Sequence, residues 1–332
     1  MENPIISFRK VMALETVKEV PVIPLVSGWV AKFSGIPRQE MLYNPQFIVE
    51  SQIRAQEVLG YDAHFAYVDS LYIPEAFGCK LSFLAGAIDV MPLDIRTEED
   101  VKAMPGPDIH KDGRLPHMLM VAKGLSNHPG RNVPVLGVME GPFTTVARIL
   151  GTEKAMRALF KNRPLIEAML EKIGNFQLAY GEALAEVGID GLIMPDPVGS
   201  TTMISPKMYK DLVFPSLRTL ITGLRFPVIL HVCGDTQPIL DQMAETGAGI
   251  LSLDQCMDLG LAKEKIAGRC GIGGNLDPTH VIFLGTPEKI VEETARCLRE
   301  GGKQGFILMT GCSVPPDTPI QNLRSMVEAA RK

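Results

Sequence analysis

The chain has 332 residues, 46% of them apolar and 21% charged, a balance that excludes a disordered polypeptide. No apolar run approaches the roughly 18 to 20 residues that a membrane-spanning helix needs. The net charge of −5, with no block of lysine or arginine, argues against a nucleic-acid-binding face.

Eight short apolar runs follow one another along the chain: Val22–Val26, Ala63–Val68, Val133–Met139, Gly191–Met194, Val228–Val232, Ile250–Leu253, Gly271–Gly274 and Phe306–Met309. Several are continuously apolar rather than alternating, as strands buried on both faces of a parallel sheet require. Helix-period segments lie between them, at Pro45–Leu59, Arg114–Leu125, Pro164–Val187, Pro206–Leu224, Gln237–Thr246, Ala262–Ala267, Pro287–Glu300 and Pro319–Arg331. Proline opens many of these, where its missing N–H costs nothing. The segment Phe77–Pro116 shows no clear pattern and is expected to be a helical or irregular insertion. Eight strands alternating with helices predict an α/β fold, a single-domain (β/α)8 TIM barrel over residues 1–332 with an insertion around 77–116. A doubly wound open sheet is the competitor, but no Gly-x-Gly-x-x-Gly follows the first strand.

Polar residues close nearly every expected strand: Ser27, Asp69, Glu140, Asp196, His231 with Cys233, Asp254, Asn275 and Cys312. In a barrel these positions converge on one mouth. Loops are polar in any protein, so each position alone says little. His231 and Cys233 are two apart at a strand end, which puts both side chains on one face. Cys312 follows the eighth strand, across the mouth from the fifth. One imidazole and two thiolates suit Zn2+, and three protein ligands leave a fourth position open. The start Met1-Glu2-Asn3-Pro4 shows no secretory pattern, so a cytoplasmic chain with reduced cysteines is expected. Cys79, Cys270 and Cys297 read as structural; Cys256, two after Asp254, is less clearly so. Two thiolate ligands neutralise the metal's charge and make it a poor Lewis acid. Such a site favours activation of a substrate thiol over hydrolysis.

Four segments carry a resemblance to the uroporphyrinogen decarboxylase superfamily: Val68-Asp69-Ser70-Leu71-Tyr72-Ile73-Pro74-Glu75-Ala76-Phe77-Gly78, Glu140-Gly141-Pro142-Phe143-Thr144, Ile204-Ser205-Pro206 and Gly274-Asn275-Leu276-Asp277-Pro278. Within it, His231-x-Cys233 with Cys312, and Pro195-Asp196-Pro197 with Ser200, are similar to the methylcobamide:coenzyme M methyltransferases. The resemblance implies a barrel, one zinc, and transfer of a methyl group to a small thiol such as coenzyme M. The donor would be a methylated corrinoid (methylcobalamin) carried by a corrinoid protein. A tetrapyrrole decarboxylase is the nearest alternative. That family places an Arg-Gln-Ala-Gly-Arg segment after the first strand, where this chain has Ser27-Gly28-Trp29-Val30-Ala31-Lys32 and no arginine between Arg9 and Arg38. A non-catalytic corrinoid- or zinc-binding accessory protein is a third.

Asp69, Glu140 and Asp196 are the candidate catalytic carboxylates. They would shape the mouth, hydrogen-bond to His231 or take the thiol's proton; otherwise each caps a loop or helix. Asp69 also matches the decarboxylase's catalytic aspartate. Ser200 and Asn275 are candidates for binding the ligand, Asn275 alternatively for fixing a turn. Glu75 is placed to pair with the insertion. Arg148 is the candidate partner for a sulfonate. Met194, Met243 and Met309 are expected to pack the barrel, and His64, His110, His117, His128 and His280 to be structural or superficial.

Overall fold

The computed structural model describes residues 2–67, 69–84 and 87–332. Val68, at the end of the second expected strand, and Ala85 and Gly86, inside the expected insertion, lie outside the described residues. Seven strands form one parallel sheet: β1 (His64–Ala66), β4 (Val135–Val138), β5 (Gly191–Pro195), β6 (Val228–His231), β7 (Ile250–Ser252), β8 (Gly271–Leu276) and β9 (Phe306–Thr310), in that spatial order. Nearly every residue in these strands is buried, which is why they read as unbroken apolar runs. Helices follow the strands and pack outside the sheet, among them Pro45–Leu59, Leu115–Ser126, Arg163–Glu186 and Pro287–Gly301.

The first expected strand appears as a single parallel bridge, Val22 to Leu308. Pro21 and Pro24 flank it, and proline has no N–H to give a ladder. The segment still joins the sheet's two edges. Ile23 N donates to Leu308 O at 2.9 Å, and Asp62 N donates to Val22 O at 2.8 Å. Thus β9 and the residues just before β1 hold Val22 and Ile23 between them.

The expected insertion is not helical or irregular throughout. It contains an antiparallel hairpin, β2 (Lys80–Leu84) paired with β3 (Ala87–Met91), followed by the helix Glu98–Ala103. A strict strand alternation is hidden there because the hairpin is short and partly exposed, so apolar Phe83 and Met91 face outward. Two further helices, Pro142–Leu150 and Thr152–Lys161, fill the stretch after β4. Gly151 separates them and splits the periodicity that would have marked one long helix. Among the described residues, no helix is long and apolar enough to cross a membrane.

Candidate metal centre

β6 ends in His231, and its register pairs that residue with Pro195 of β5 and Ser252 of β7. Neighbours in a parallel register share a face, so Ser252 stands beside the imidazole. His231 Nδ1 lies 3.1 Å from Ser252 Oγ and 3.2 Å from Ser252 O. That contact fixes the ring and turns Nε2 toward Cys233, whose Sγ is 3.2 Å away. Cys312 Sγ lies 4.0 Å from Cys233 Sγ. The nitrogen and the two sulfurs all fall within 4.8 Å of one another. The two-residue spacing and the distant third cysteine therefore converge as the sequence predicts.

The backbone around both thiols is built for this approach. Gly234 follows Cys233 with φ of +80°, and its N–H donates to Asp254 Oδ2 at 2.8 Å. Ser200 Oγ donates to Cys233 O at 2.6 Å. Before Cys312, a Cβ on Gly311 would lie 2.5 Å from Gln255 N, so only glycine lets the two loops close up. The contact with Cys233 and the neighbouring His231 pull the Cys312 thiol well below the usual range. The same sulfur–sulfur contact, with burial, pushes Cys233 up. Two cysteine sulfurs beside an imidazole nitrogen are the donor chemistry that borderline-soft divalent metals select. The donor set therefore fits zinc.

A cavity of about 60 Å³ opens beside His231. Leu25, Val26, Phe65, Tyr67, Val138, Ile193 and Pro195 make its wall almost wholly apolar, with Ser313 next to Cys312 at its edge. Tyr67 went unnoticed in the sequence. It ends no motif, and only the fold brings it opposite the histidine. Ser252 was missed for the same reason.

The carboxylates divide by how fully they are partnered. Asp69 is spent: both its oxygens are bound by the Arg114 guanidinium, with Nη2 at 3.0 Å, and its Oδ1 also accepts from Leu71 N at 2.8 Å. Glu75 takes Arg114 Nε at 2.6 Å, so it does pair with the insertion. Arg114 itself is only 1% exposed. Asp196 accepts from Thr144 N at 3.0 Å and Thr144 Oγ1 at 2.5 Å, while its Oδ2 has no partner. Burial pushes its carboxyl up to about 6. Glu140 Oε1 faces Arg148 Nη2 at 3.3 Å, and its Oε2 is buried without a partner. Burial raises it also, against the pull of Arg148. None of the three hydrogen-bonds to the His231 ring; Asp196 touches His231 only through the backbone, N to O at 2.8 Å.

Asn275 spends its amide on fixing a turn, donating to Asp254 O at 3.0 Å and Met257 O at 2.7 Å and accepting from Arg296 at 3.3 Å. Arg148 is engaged by Glu140 and, at 3.9 Å, by Asp89 of the hairpin. Met194, Met243 and Met309 are fully buried. Cys79, Cys270 and Cys297 are buried, and Cys256 is exposed and outside the donor cluster. Burial holds His64 down to about 4 and so neutral.

Relatives of the chain include both methyltransferases and decarboxylases. It is 30% identical over 279 residues, 82% of its length and 80% of theirs, to the methylcobamide:CoM methyltransferase MtbA of Methanosarcina acetivorans. It is also 30% identical over 304 residues, 88% of its length and 86% of the other, to a uroporphyrinogen decarboxylase of Geotalea daltonii. A solved methyltransferase structure from Methanosarcina mazei superimposes with a TM-score of 0.91 at 25% identity, covering 99% of this chain and 98% of that one. The family model described as uroporphyrinogen decarboxylase (URO-D) matches residues 4–332. With its parallel sheet and strand-end site, the chain belongs to the URO-D family.

Proposed function

We propose that this chain is a zinc-dependent corrinoid:thiol methyltransferase. It would move a methyl group from a methylated corrinoid, such as methylcobalamin on a corrinoid protein, to a small thiol such as coenzyme M. The observation that carries this reading is the convergence of one imidazole nitrogen and two sulfurs within 4.8 Å. We further propose that residues 1–332 form one (β/α)8 barrel domain, closed through the Val22 segment, and that the chain works in the cytoplasm.

His231, Cys233 and Cys312 would hold the zinc. When bound, the metal supplies thiol activation: it lowers the pKa of a substrate thiol and keeps it nucleophilic. The protein's own part is positioning. Ser252 sets the imidazole ring, and Ser200 with the Gly234–Asp254 contact sets the Cys233 loop. Phe65, Tyr67, Val138 and Ile193 exclude water, which strengthens a thiolate placed against them. Glu140, with one buried oxygen left without a partner, is the group we assign to receive the thiol's proton. Asp196 holds the start of the helix Pro142–Leu150 through Thr144, and Asp69 holds the insertion through Arg114; both act as positioning residues.

The relatives' identities are alike for a methyltransferase and a decarboxylase, and the charges around the strand-end carboxylates favour the former. A substrate with many carboxylates needs cations in the mouth, yet Arg114 is sealed between Asp69 and Glu75, and Arg148 is held by Glu140. Nor is Asp69 free to approach a substrate.

The test is zinc per chain in wild type and Cys312→Ser, with loss of methylcobalamin absorbance on adding 2-mercaptoethanesulfonate. About one zinc and turnover in wild type, with both lost in the variant, is the expected result. Absence of zinc from folded wild type, with no thiol-dependent turnover after zinc is supplied, would overturn the reading.

A further inference from the structure

In the outer layer of helices a groove of about 330 Å³ runs along the helix Arg163–Glu186, against the turn Tyr209–Val213 and the helix Phe214–Gly223. It shares no residue with the donor cluster or its cavity. Leu170 and Leu178 line one wall, Leu212 and Leu220 the other. Between them the helix carries Gly174, where a Cβ would meet nothing within 4 Å. Glycine is a poor residue for the interior of a 24-residue helix, and no packing contact demands it at this position. Its effect is to leave the groove open. The rim is acidic, with Glu167, Glu171 and Asp211. Arg163 meets Glu167 at 2.7 Å and Lys207 meets Asp211, but Glu171 has no ion-pair partner among the described residues.

A matching projection stands beside it. The helix Thr152–Lys161 ends just before the groove helix begins, with only Asn162 between them. Near its end is Phe160, 75% exposed and the most exposed large apolar side chain among the described residues. An aromatic side chain left in water on a folded surface is a characteristic anchor of protein interfaces. Its neighbours are basic. Lys161 forms no ion pair among the described residues, and Arg157, one turn back, has only a solvated pair with Glu153 at 2.6 Å.

We propose that this face is a two-fold homodimer interface, in which Phe160 of each copy enters the groove over Gly174 of the other. Arg157 and Lys161 then lie against the Glu167 and Glu171 rim. The partner is a second copy because one chain carries both the projection and the hole, side by side, and the opposite charges that flank them. That self-complementarity is what an isologous pair requires. The inference is independent of the function proposed above, since the interface contains no residue of the donor cluster.

The test is sedimentation equilibrium of the full chain as wild type, Phe160→Ser, Gly174→Leu and Lys161→Glu. Wild type is expected at twice the chain mass. Removing the projection or filling the groove should raise the dimer dissociation constant about a hundredfold or more, because each contact is lost twice. Lys161→Glu should raise it about tenfold. Circular dichroism and zinc per chain should match wild type in every variant, since Phe160 is exposed and a Cβ at Gly174 meets nothing. Mixing Phe160→Ser with Gly174→Leu restores one of the two contacts, an intact Phe160 entering an intact groove. The mixture should therefore dimerise more tightly than either variant alone. Wild type that stays monomeric up to about 0.1 mM overturns the proposal and leaves the groove to a segment of another protein. A wild-type dimer indifferent to both Phe160→Ser and Gly174→Leu, or a mixture no tighter than its components, overturns it as well.

Discussion

Two clusters sit at strand ends of the same sheet and are built on opposite principles. Around Arg114, Asp69 and Glu75 together engage all three guanidinium nitrogens, and the arginine is sealed from water. Around His231, the imidazole is anchored on one side by Ser252, and its other nitrogen and two sulfurs face each other, with no side-chain partner outside the trio among the described residues. The first cluster has nothing left to give a ligand; the second has only ligand atoms to give. Polarity at a strand end therefore does not mark a site. What marks it is donor capacity left over once the protein's own contacts are counted.

The comparison can be tested from the closed side first. Arg114→Ala strips the counter-charge from buried Asp69 and half-buried Glu75 and is expected to cost about 3–5 kcal/mol of stability. Urea denaturation of the metal-free chain measures this, with zinc per folded chain unchanged. A variant as stable as wild type would show that the cluster is not sealed in the way described.

Asp196 gives a smaller and pH-dependent effect. Burial raises its folded-state pKa to about 6 from 3.8, so the folded form binds the proton more tightly than the unfolded one. Its contribution to stability is full below about pH 4 and is lost as pH rises through 6, a change of about 3 kcal/mol. Asp196→Asn should flatten that slope in the metal-free chain and be relatively more stable above pH 6. Parallel stability–pH curves for the two proteins would remove Asp196 from the account.

The smallest effect sharpens the open side. Ser252→Ala removes one of two contacts to His231 Nδ1 and leaves the carbonyl. Competition with a chelator should show zinc affinity reduced about tenfold, the lower end for an outer-shell partner. No change would mean the backbone carbonyl alone orients the ring.

How much of this was legible in the sequence depended on whether the signal was local. His231-x-Cys233 is visible because strand period alone aligns the two side chains. Cys312 was visible because the strand count put it opposite. The role of Arg114 was not, since a buried arginine looks like a surface one until Asp69 and Glu75 fold onto it, 45 and 39 residues away. Ser252 lies 21 residues from His231 and is its neighbour only by register. The hairpin β2–β3 escaped because its outward Phe83 and Met91 break the alternation that a half-buried strand would show.

The bridge at Val22 bears on how the chain comes to be folded. From β4 to β9, each sheet strand pairs with the sheet strand before it in sequence, so each has its partner already made when it emerges. Val22 is different: its parallel partner, Leu308, lies in β9 and is made only after every other strand of the sheet. Until then that edge waits unpaired, the state in which nascent sheets pair with other chains. Pro21 and Pro24, which hid the strand from a propensity count, withhold two donors there and make the segment a poor template for any partner but its own β9.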